Sequence, residues 1–189
     1  MTAQHPSPLA RTKMPGFDAR RRGHTPLHTR LRDQLLSRPH AHVFLAFLLA
    51  ALAVRLVFWL YTGRIWEDAL MTLTAARNAW EGFGLTHHAS EPRVQCFTSP
   101  IGEAVMLIGE AFRQGMLAAR IASLLATIPT LYYGYRIALL LGFGIPALDV
   151  LMAYLAFDQL QIFFGMAGME TQIATALALV NVYYSLTAQ

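Results

Sequence analysis

Apolar residues in this chain are concentrated in five segments separated by polar stretches. The first, residues 41–61, is interrupted only by His42 and Arg55. About 20 residues rising ~1.5 Å each cross a hydrocarbon core of about 30 Å, so this segment is predicted to be a transmembrane helix. Four further apolar segments follow, at 99–112, 116–141, 147–167 and 171–187. The pattern predicts an all-α fold, a polytopic transmembrane helical bundle over residues 41–189.

The polar loop of residues 62–98 contains a helical pattern of its own. Its larger apolar residues and intervening alanines fall along one stripe: Trp66, Ala69, Leu70, Leu73, Ala76 and Trp80. This pattern predicts an amphipathic helix that lies in the membrane interface rather than across the bilayer. The helix is expected to break at Gly82 and Gly84, and its first turn carries the adjacent carboxylates Glu67 and Asp68.

Composition agrees with a membrane location and adds an orientation. The chain is 55% hydrophobic and 14% charged, with mean hydropathy +0.39. Soluble domains average about 45–50% apolar residues and about 25% charged residues. Residues 1–40 hold eight basic and two acidic residues, a net charge of +6, and five of the nine prolines; residues 41–189 hold seven arginines and nine acids, a net charge of −2. The first forty residues are therefore predicted to be a disordered basic tail that stays cytoplasmic, which places the loop 62–98 outside. A lipid bilayer is the expected partner, and nucleic acid is not. The single cysteine, Cys96, excludes an intrachain disulfide.

The acidic pair and the arginine of the first segment each have two interpretations. Acids in the first turn of a helix interact favourably with its dipole and need no catalytic role. Glu67 and Asp68 would also lie at the outer membrane surface, where the headgroup of a lipid-borne substrate is found. Arg55 either snorkels toward the outer headgroups or faces a phosphate in a cavity.

Several short motifs occur in order along the chain: Glu67-Asp68-Ala69-Leu70-Met71-Thr72, Ala76-Arg77-Asn78, Glu81-Gly82-Phe83-Gly84-Leu85, Arg93-Val94-Gln95, Phe97-Thr98-Ser99-Pro100 and Gly168-Met169-Glu170-Thr171. The first five resemble the first outer loop of GT-C glycosyltransferases, polytopic enzymes that use polyprenyl-phosphate sugars. The last resembles an acidic motif that opens a later span in many bacterial members. The chain departs from the family pattern at Glu67, since the pair is often two aspartates, and at Thr74, where many members have a basic residue. Such enzymes have more spans, so this chain is expected to be the N-terminal portion of one, or a truncated form.

The resemblance implies transfer of a sugar from a polyprenyl-phosphate donor to a glycan, lipid or protein acceptor at the outer face of a bacterial inner membrane. Asp68 or Glu67 would take the proton of the acceptor hydroxyl, and the other would hold Mg²⁺ or Mn²⁺. The residues it implies for substrate and phosphate binding are Arg77, Arg93, Arg55 and Glu170. Arg77 and Arg93 could equally be solvated charges that pair with Glu81 or Glu91.

The side of the membrane on which Glu170 lies depends on the segment 99–112. If every segment spans, Glu170 is inside and Glu67 is outside, whereas the resemblance requires both on one side. At 13 residues, the stretch 100–112 is short for a span, so partial insertion is one solution and a Glu170 outside the site is the other. Glu103 and Glu110, two turns apart, are expected to face protein or water.

A function of another class also fits the sequence. A non-enzymatic integral membrane scaffold or assembly protein would use the basic tail on anionic lipids. It predicts that deletion of residues 1–38 abolishes function and that replacement of Glu67 and Asp68 is silent.

Overall fold

The computed structural model describes residues 38–88, 90 and 99–188, and the secondary structure elements of this part of the chain are all α-helices. The basic tail up to residue 37, Arg93 and Cys96 lie outside the described residues. The helices are α1 (Arg38–Thr62), α2 (Glu67–Trp80), α3 (Pro100–Glu110), α4 (Gly115–Leu140), α5 (Ile145–Phe157), α6 (Gln159–Met166) and α7 (Thr171–Thr187).

Among the described residues, three helical stretches are long and apolar enough to cross a membrane. They are His42–Thr62, Gly115–Leu140 and Ile145–Met166. The first two lie within α1 and α4, and the third comprises α5 and α6 together. The predicted all-helical fold class is confirmed for the described residues. Of the five predicted spans, 41–61, 116–141 and 147–167 correspond to these three stretches.

Asp158 divides the third stretch, which the sequence predicts as one uninterrupted helix over 147–167. Its backbone leaves the helical region, with φ −56° and ψ 113°. Its side chain accepts a hydrogen bond from the N–H of Leu160 at 3.1 Å and so caps α6. An aspartate competes with the helical backbone in this way and favours a cap over a helix interior.

Small side chains allow the main helices to approach closely. The core between α1, α4 and α5 contains three alanines without exposed surface, Ala51, Ala138 and Ala156. A Cβ placed on Gly134 of α4 would lie 2.5 Å from the Leu155 side chain of α5. Since lipid gives no hydrophobic drive for helix association, close packing of this kind holds membrane helices together.

A second core joins α2 and α3 to the start of α4. It is built from Ala69, Leu73, Ala76, Met106 and Ala119. The predicted apolar stripe of α2 is correct at Ala69, Leu73 and Ala76 only. Trp66, Leu70 and Trp80 are exposed. Thr72, which is not part of the stripe, is buried, and its hydroxyl is satisfied by donating to the Asp68 carbonyl at 3.0 Å.

The short helix α3 starts and finishes at one end of the bundle. A Cβ on Gly102, near its start, would lie 3.1 Å from Glu170 Oε2, and Gly115, which begins α4, lies against Leu73 of α2. At about 1.5 Å per residue, its 11 residues extend only about 16 Å. The end of α1 and the starts of α2, α4 and α7 therefore share one end of the bundle, here called the acid end. In this arrangement Glu67 and Glu170 lie at the same end of the bundle.

Candidate functional site at the acid end

The acidic pair begins α2, after a link of four residues that follows α1. Glu67 is exposed and Asp68 is half-buried. The N-cap position, Trp66, provides no side-chain cap. Instead its backbone N–H donates to the carbonyl of Ala167 at 3.1 Å, and its ring packs edge-on against Phe164 at 5.3 Å. The first turn of α2 is thus held against the end of α6.

Glu170 belongs to the same end of the bundle as this pair. It lies three residues after Ala167 and precedes α7 as its N-cap residue. The turn that carries it depends on Gly168, whose φ is +99° and whose added Cβ would lie 3.0 Å from Ala69 Cβ and 2.6 Å from Met116 Sδ. No side chain fits there, so α2 and this turn are in direct contact.

Arg120 of α4 connects the two parts of the acid end. Its Nη2 donates to the carbonyls of Arg64 at 2.9 Å and Gly63 at 3.3 Å, and its Nε donates to the carbonyl of Met166 at 3.0 Å. Its guanidinium also lies 5.5 Å from the ring centroid of Trp59. One side chain thereby fixes the link before Glu67 relative to the turn before Glu170. Sequence reasoning gave Arg120 no role; its only signal was a charge near the start of an apolar segment.

Arg64 is a second residue of this end that sequence reasoning missed. It is exposed, three residues before Glu67, and its guanidinium lies 5.9 Å from the ring centroid of Phe163. An exposed cation beside the acidic pair is placed to meet an anionic headgroup.

Arg55, predicted as a phosphate contact, lies inside the bundle with no exposed surface. Its Nη2 and Nε donate to Gln172 Oε1 at 2.9 and 3.3 Å, and its Nη1 donates to the carbonyls of Ala156 at 2.8 Å and Ala51 at 3.2 Å. Gln172 Nε2 in turn donates to Thr130 Oγ1 at 2.8 Å. The side chain does not snorkel, and its donors are directed at protein oxygens.

Arg77, the other described arginine predicted to bind phosphate, lies away from the acidic pair. It follows Asp68 by nine residues, which is about 14 Å along the helix. Its Nε lies 3.5 Å from Glu110 Oε2, a different partner from the predicted Glu81 or Glu91. Glu110 Oε1 also accepts the N–H of Gly115 at 3.0 Å. Arg77 and Asp68 therefore do not meet at one small group.

Glu103 is the buried acid closest in sequence to the start of α3, outside the three membrane-spanning stretches. Its side chain is 3% exposed, and neither carboxyl oxygen has a hydrogen-bond partner within the part of the chain that the structure describes. Burial raises the pKa of Glu103 to about 7. Glu103 and Glu110 both face protein, as their spacing on one helix face predicts.

The described residues do not assemble three or more acidic, histidine or cysteine side chains that could hold a metal ion. Glu67 and Asp68 are the only adjacent carboxylates among the described residues of this end, and Glu170 lies in the neighbouring turn. Binding of Mg²⁺ or Mn²⁺ there stays a prediction, and no chemical step below depends on it.

Comparison of the chain with protein-family models, with curated proteins and with solved structures finds no match.

Proposed function

We propose that this chain is the N-terminal membrane part of a glycosyltransferase that moves a sugar from a polyprenyl-phosphate donor to an acceptor hydroxyl. The observation that carries the proposal is the juxtaposition at the acid end. Glu67 and Asp68, 103 and 102 residues before Glu170 in sequence, lie in the first turn of α2. This turn is bonded to the α6–α7 turn through the Trp66 N–H and the Ala167 carbonyl. The motif resemblance needs these acids on one side of the membrane, and the short α3 meets that need.

The proposed orientation has the basic tail in the cytoplasm and the acid end at the outer face of a bacterial inner membrane. Positive charge favours the cytoplasmic side, and α1 then carries the chain outward. Arg136, near the far end of α4, supports this assignment. Its guanidinium donates to the hydroxyls of Tyr132 and Tyr183, an arginine and tyrosine group typical of a membrane interface.

The chemistry assigned to this end is transfer with a carboxylate base. Asp68 or Glu67 takes the proton of the acceptor hydroxyl as its oxygen bonds to the anomeric carbon. The bond from that carbon to the phosphate oxygen breaks, and the electron pair leaves with the polyprenyl phosphate. Arg64 is the exposed cation nearest in sequence to the pair and is assigned to the charge developing on that phosphate.

The test uses the full chain in lipid nanodiscs with radiolabelled polyprenyl-phosphate hexoses and pentoses as donors. Asp68→Asn is expected to lower turnover about 100-fold, the typical contribution of a general base. Asp149→Asn makes the same chemical change near the opposite end of the bundle and is the matched control, with turnover unchanged.

Saturable binding of unlabelled polyprenyl phosphate, measured on the same nanodiscs, provides a second readout. Arg64→Ala is expected to weaken this binding about tenfold, through loss of a charge-assisted contact. Absence of both transfer and saturable binding would overturn the proposal, as would Asp68→Asn with unchanged turnover. A scaffold protein would give those negative results together with a loss of function when residues 1–38 are deleted.

A further inference from the structure

A cleft of about 200 Å³ opens between the end of α2 and the end of α3, at the opposite end of α2 from Glu67 and Asp68. Its lining residues are Arg77, Trp80, Glu81, Glu110, Ala111 and Arg113. This volume is below the ~300–1,000 Å³ of pockets for drug-sized ligands and suits one ring-sized group. The motif resemblance assigns one lining residue, Arg77, to phosphate, and the catalytic proposal gives the cleft no ligand.

Arg113 has a backbone conformation that its residue type disfavours. It is the one non-glycine residue with positive φ, +57°, among the described residues. Its N–H donates to the carbonyl of Glu110 at 2.9 Å, and the N–H of Gln114 donates to the carbonyl of Gly109 at 3.0 Å, so it closes the end of α3. Glycine is the usual residue at such a helix end, and a larger side chain costs about 1 kcal/mol. A strained residue whose side chain lines a cleft suggests a function for that side chain.

Trp80 supplies a fixed aromatic surface in the same cleft. Its indole N–H donates to the carbonyl of Leu107 at 2.8 Å, which ties the ring to α3. The residue is nevertheless 59% exposed. A ring held in place with an open face binds an apolar surface at little entropic cost.

The charges of the cleft balance, which argues against a simple anion site. Two arginines, Arg77 and Arg113, and two glutamates, Glu81 and Glu110, sum to a formal charge of zero. Glu110 is engaged by Arg77, whose side chain is still 56% exposed and free to donate further. A phosphate would meet carboxylate oxygens here, whereas a ligand with both donors and acceptors can use all four groups.

We propose that this cleft binds a sugar ring of a neutral glycan. Sugar hydroxyls both donate and accept, which matches paired arginines and glutamates, and the C–H face of the ring matches the Trp80 surface. The cleft lies about 14 Å along α2 from Asp68, so it holds a sugar unit remote from the reacting hydroxyl of an extended acceptor. This role in transfer rests on the proposed function; binding by the cleft does not.

The experiment measures binding at Trp80 directly. The chain is labelled with fluorotryptophan in nanodiscs, and the Trp80 resonance is assigned with Trp80→Phe. Neutral trisaccharides of mannose, glucose, galactose and arabinose are titrated, with glycerol phosphate as the anionic comparison. A saturable shift of the Trp80 resonance by at least one trisaccharide is expected, with Trp59 and Trp66 unmoved.

Arg113→Gly separates binding from folding. It removes the side chain and relieves the positive φ, so glycan affinity is expected to fall about tenfold while the melting temperature stays equal or rises. Asp149→Asn, a change near the opposite end of the bundle, is the control and leaves affinity unchanged.

Three results would overturn the proposal: no trisaccharide moves the resonance, glycerol phosphate alone does, or Arg113→Gly binds as the native chain does. The two proposals fail separately. If Asp68→Asn keeps full turnover while Arg113→Gly loses glycan binding, the transferase assignment fails and the cleft remains a carbohydrate site. If Asp68→Asn loses turnover while Arg113→Gly changes neither binding nor the acceptor KM, the cleft assignment alone fails.

Discussion

Two buried ionisable side chains, one in the bundle interior and one on α3, are treated very differently by the fold. Arg55 donates four hydrogen bonds to oxygens of Gln172, Ala156 and Ala51. Glu103 has no hydrogen-bond partner for either carboxyl oxygen among the described residues. Both side chains are almost completely shielded from solvent. Hydrogen bonds in the bundle interior compensate the burial of the Arg55 charge, whereas the described residues give the Glu103 carboxyl no such partner.

The break at Asp158 explains how the interior accommodates a cation. In a continuous helix, the carbonyl of Ala156 would accept the N–H of residue 160. Here the N–H of Leu160 binds the Asp158 side chain, and the carbonyl accepts from Arg55 at 2.8 Å. The arginine, the helix break and Gln172 therefore form one unit that sets the positions of α1, α5 and α7. A buried guanidinium without such acceptors would cost several kcal/mol.

The largest effect is expected from Arg55→Ala, which removes this unit. The change leaves Gln172 Oε1 and the Ala156 carbonyl without a donor and opens a cavity. The free energy of unfolding is expected to fall by about 4 kcal/mol. Thermal unfolding of the full chain in nanodiscs, followed by intrinsic fluorescence, measures it.

Arg64→Ala is the matched control, since Arg64 is exposed and its guanidinium contacts only the Phe163 ring. A loss below about 1 kcal/mol is expected there. Equal losses in the free energy of unfolding for Arg55→Ala and Arg64→Ala would contradict the distinction between a fully hydrogen-bonded interior cation and a surface cation.

Glu103→Leu, unlike Arg55→Ala, is expected to raise the free energy of unfolding at pH 8, by about 2 kcal/mol. The folded pKa of about 7 lies above the unfolded value of about 4.3, so the folded chain binds more protons between these values. Stability from the protonated Glu103 is therefore present at pH 5 and lost as pH rises through 7. The native chain should unfold at lower temperature at pH 8 than at pH 5, and Glu103→Leu should remove this difference and stabilise the chain at pH 8.

Glu110→Leu is the control on the same helix face. Glu110 is also buried, but it accepts from Gly115 and pairs with Arg77. Its replacement is expected to destabilise the chain at both pH values. If Glu103→Leu is instead less stable than the native chain at pH 8, the carboxylate is compensated after all and the comparison fails.

The sequence predicts the helices better than it predicts which charges meet. Segment 171–187 coincides with α7, because apolar content and length define a helix. The pairing of Arg77 with Glu110 depends on α3 folding back along α2, which no local pattern encodes. The sequence predicts that Arg55 faces headgroups or phosphate. Two of its acceptor residues, Ala156 and Gln172, lie 101 and 117 positions away, so no local pattern could reveal them. Glu170 joined the acidic pair only through the motif resemblance, and the short α3 is what brings it there.

The smallest predicted effect on stability concerns Arg120 at the acid end, which is a partly exposed counterpart of Arg55. Its guanidinium reaches three backbone carbonyls on two segments, those of Gly63, Arg64 and Met166. Arg120→Lys keeps the charge but cannot bridge both segments, because an ammonium lacks the planar fork of donors. We expect a loss of only about 1 kcal/mol, since solvent replaces part of the contact.

If the transferase assignment holds, Arg120→Lys should lower turnover by more than its stability loss implies. The reason is that the base on α2 would no longer be held in position relative to the turn that carries Glu170. Donor KM and turnover measured together distinguish this outcome from simple unfolding. A positioning role lowers turnover in fully folded protein at temperatures well below its melting transition, whereas a purely structural role leaves turnover of the folded fraction unchanged. The second result would mean that Arg120, like Arg55, only stabilises the bundle, with a smaller effect, and does not position the acids beside it.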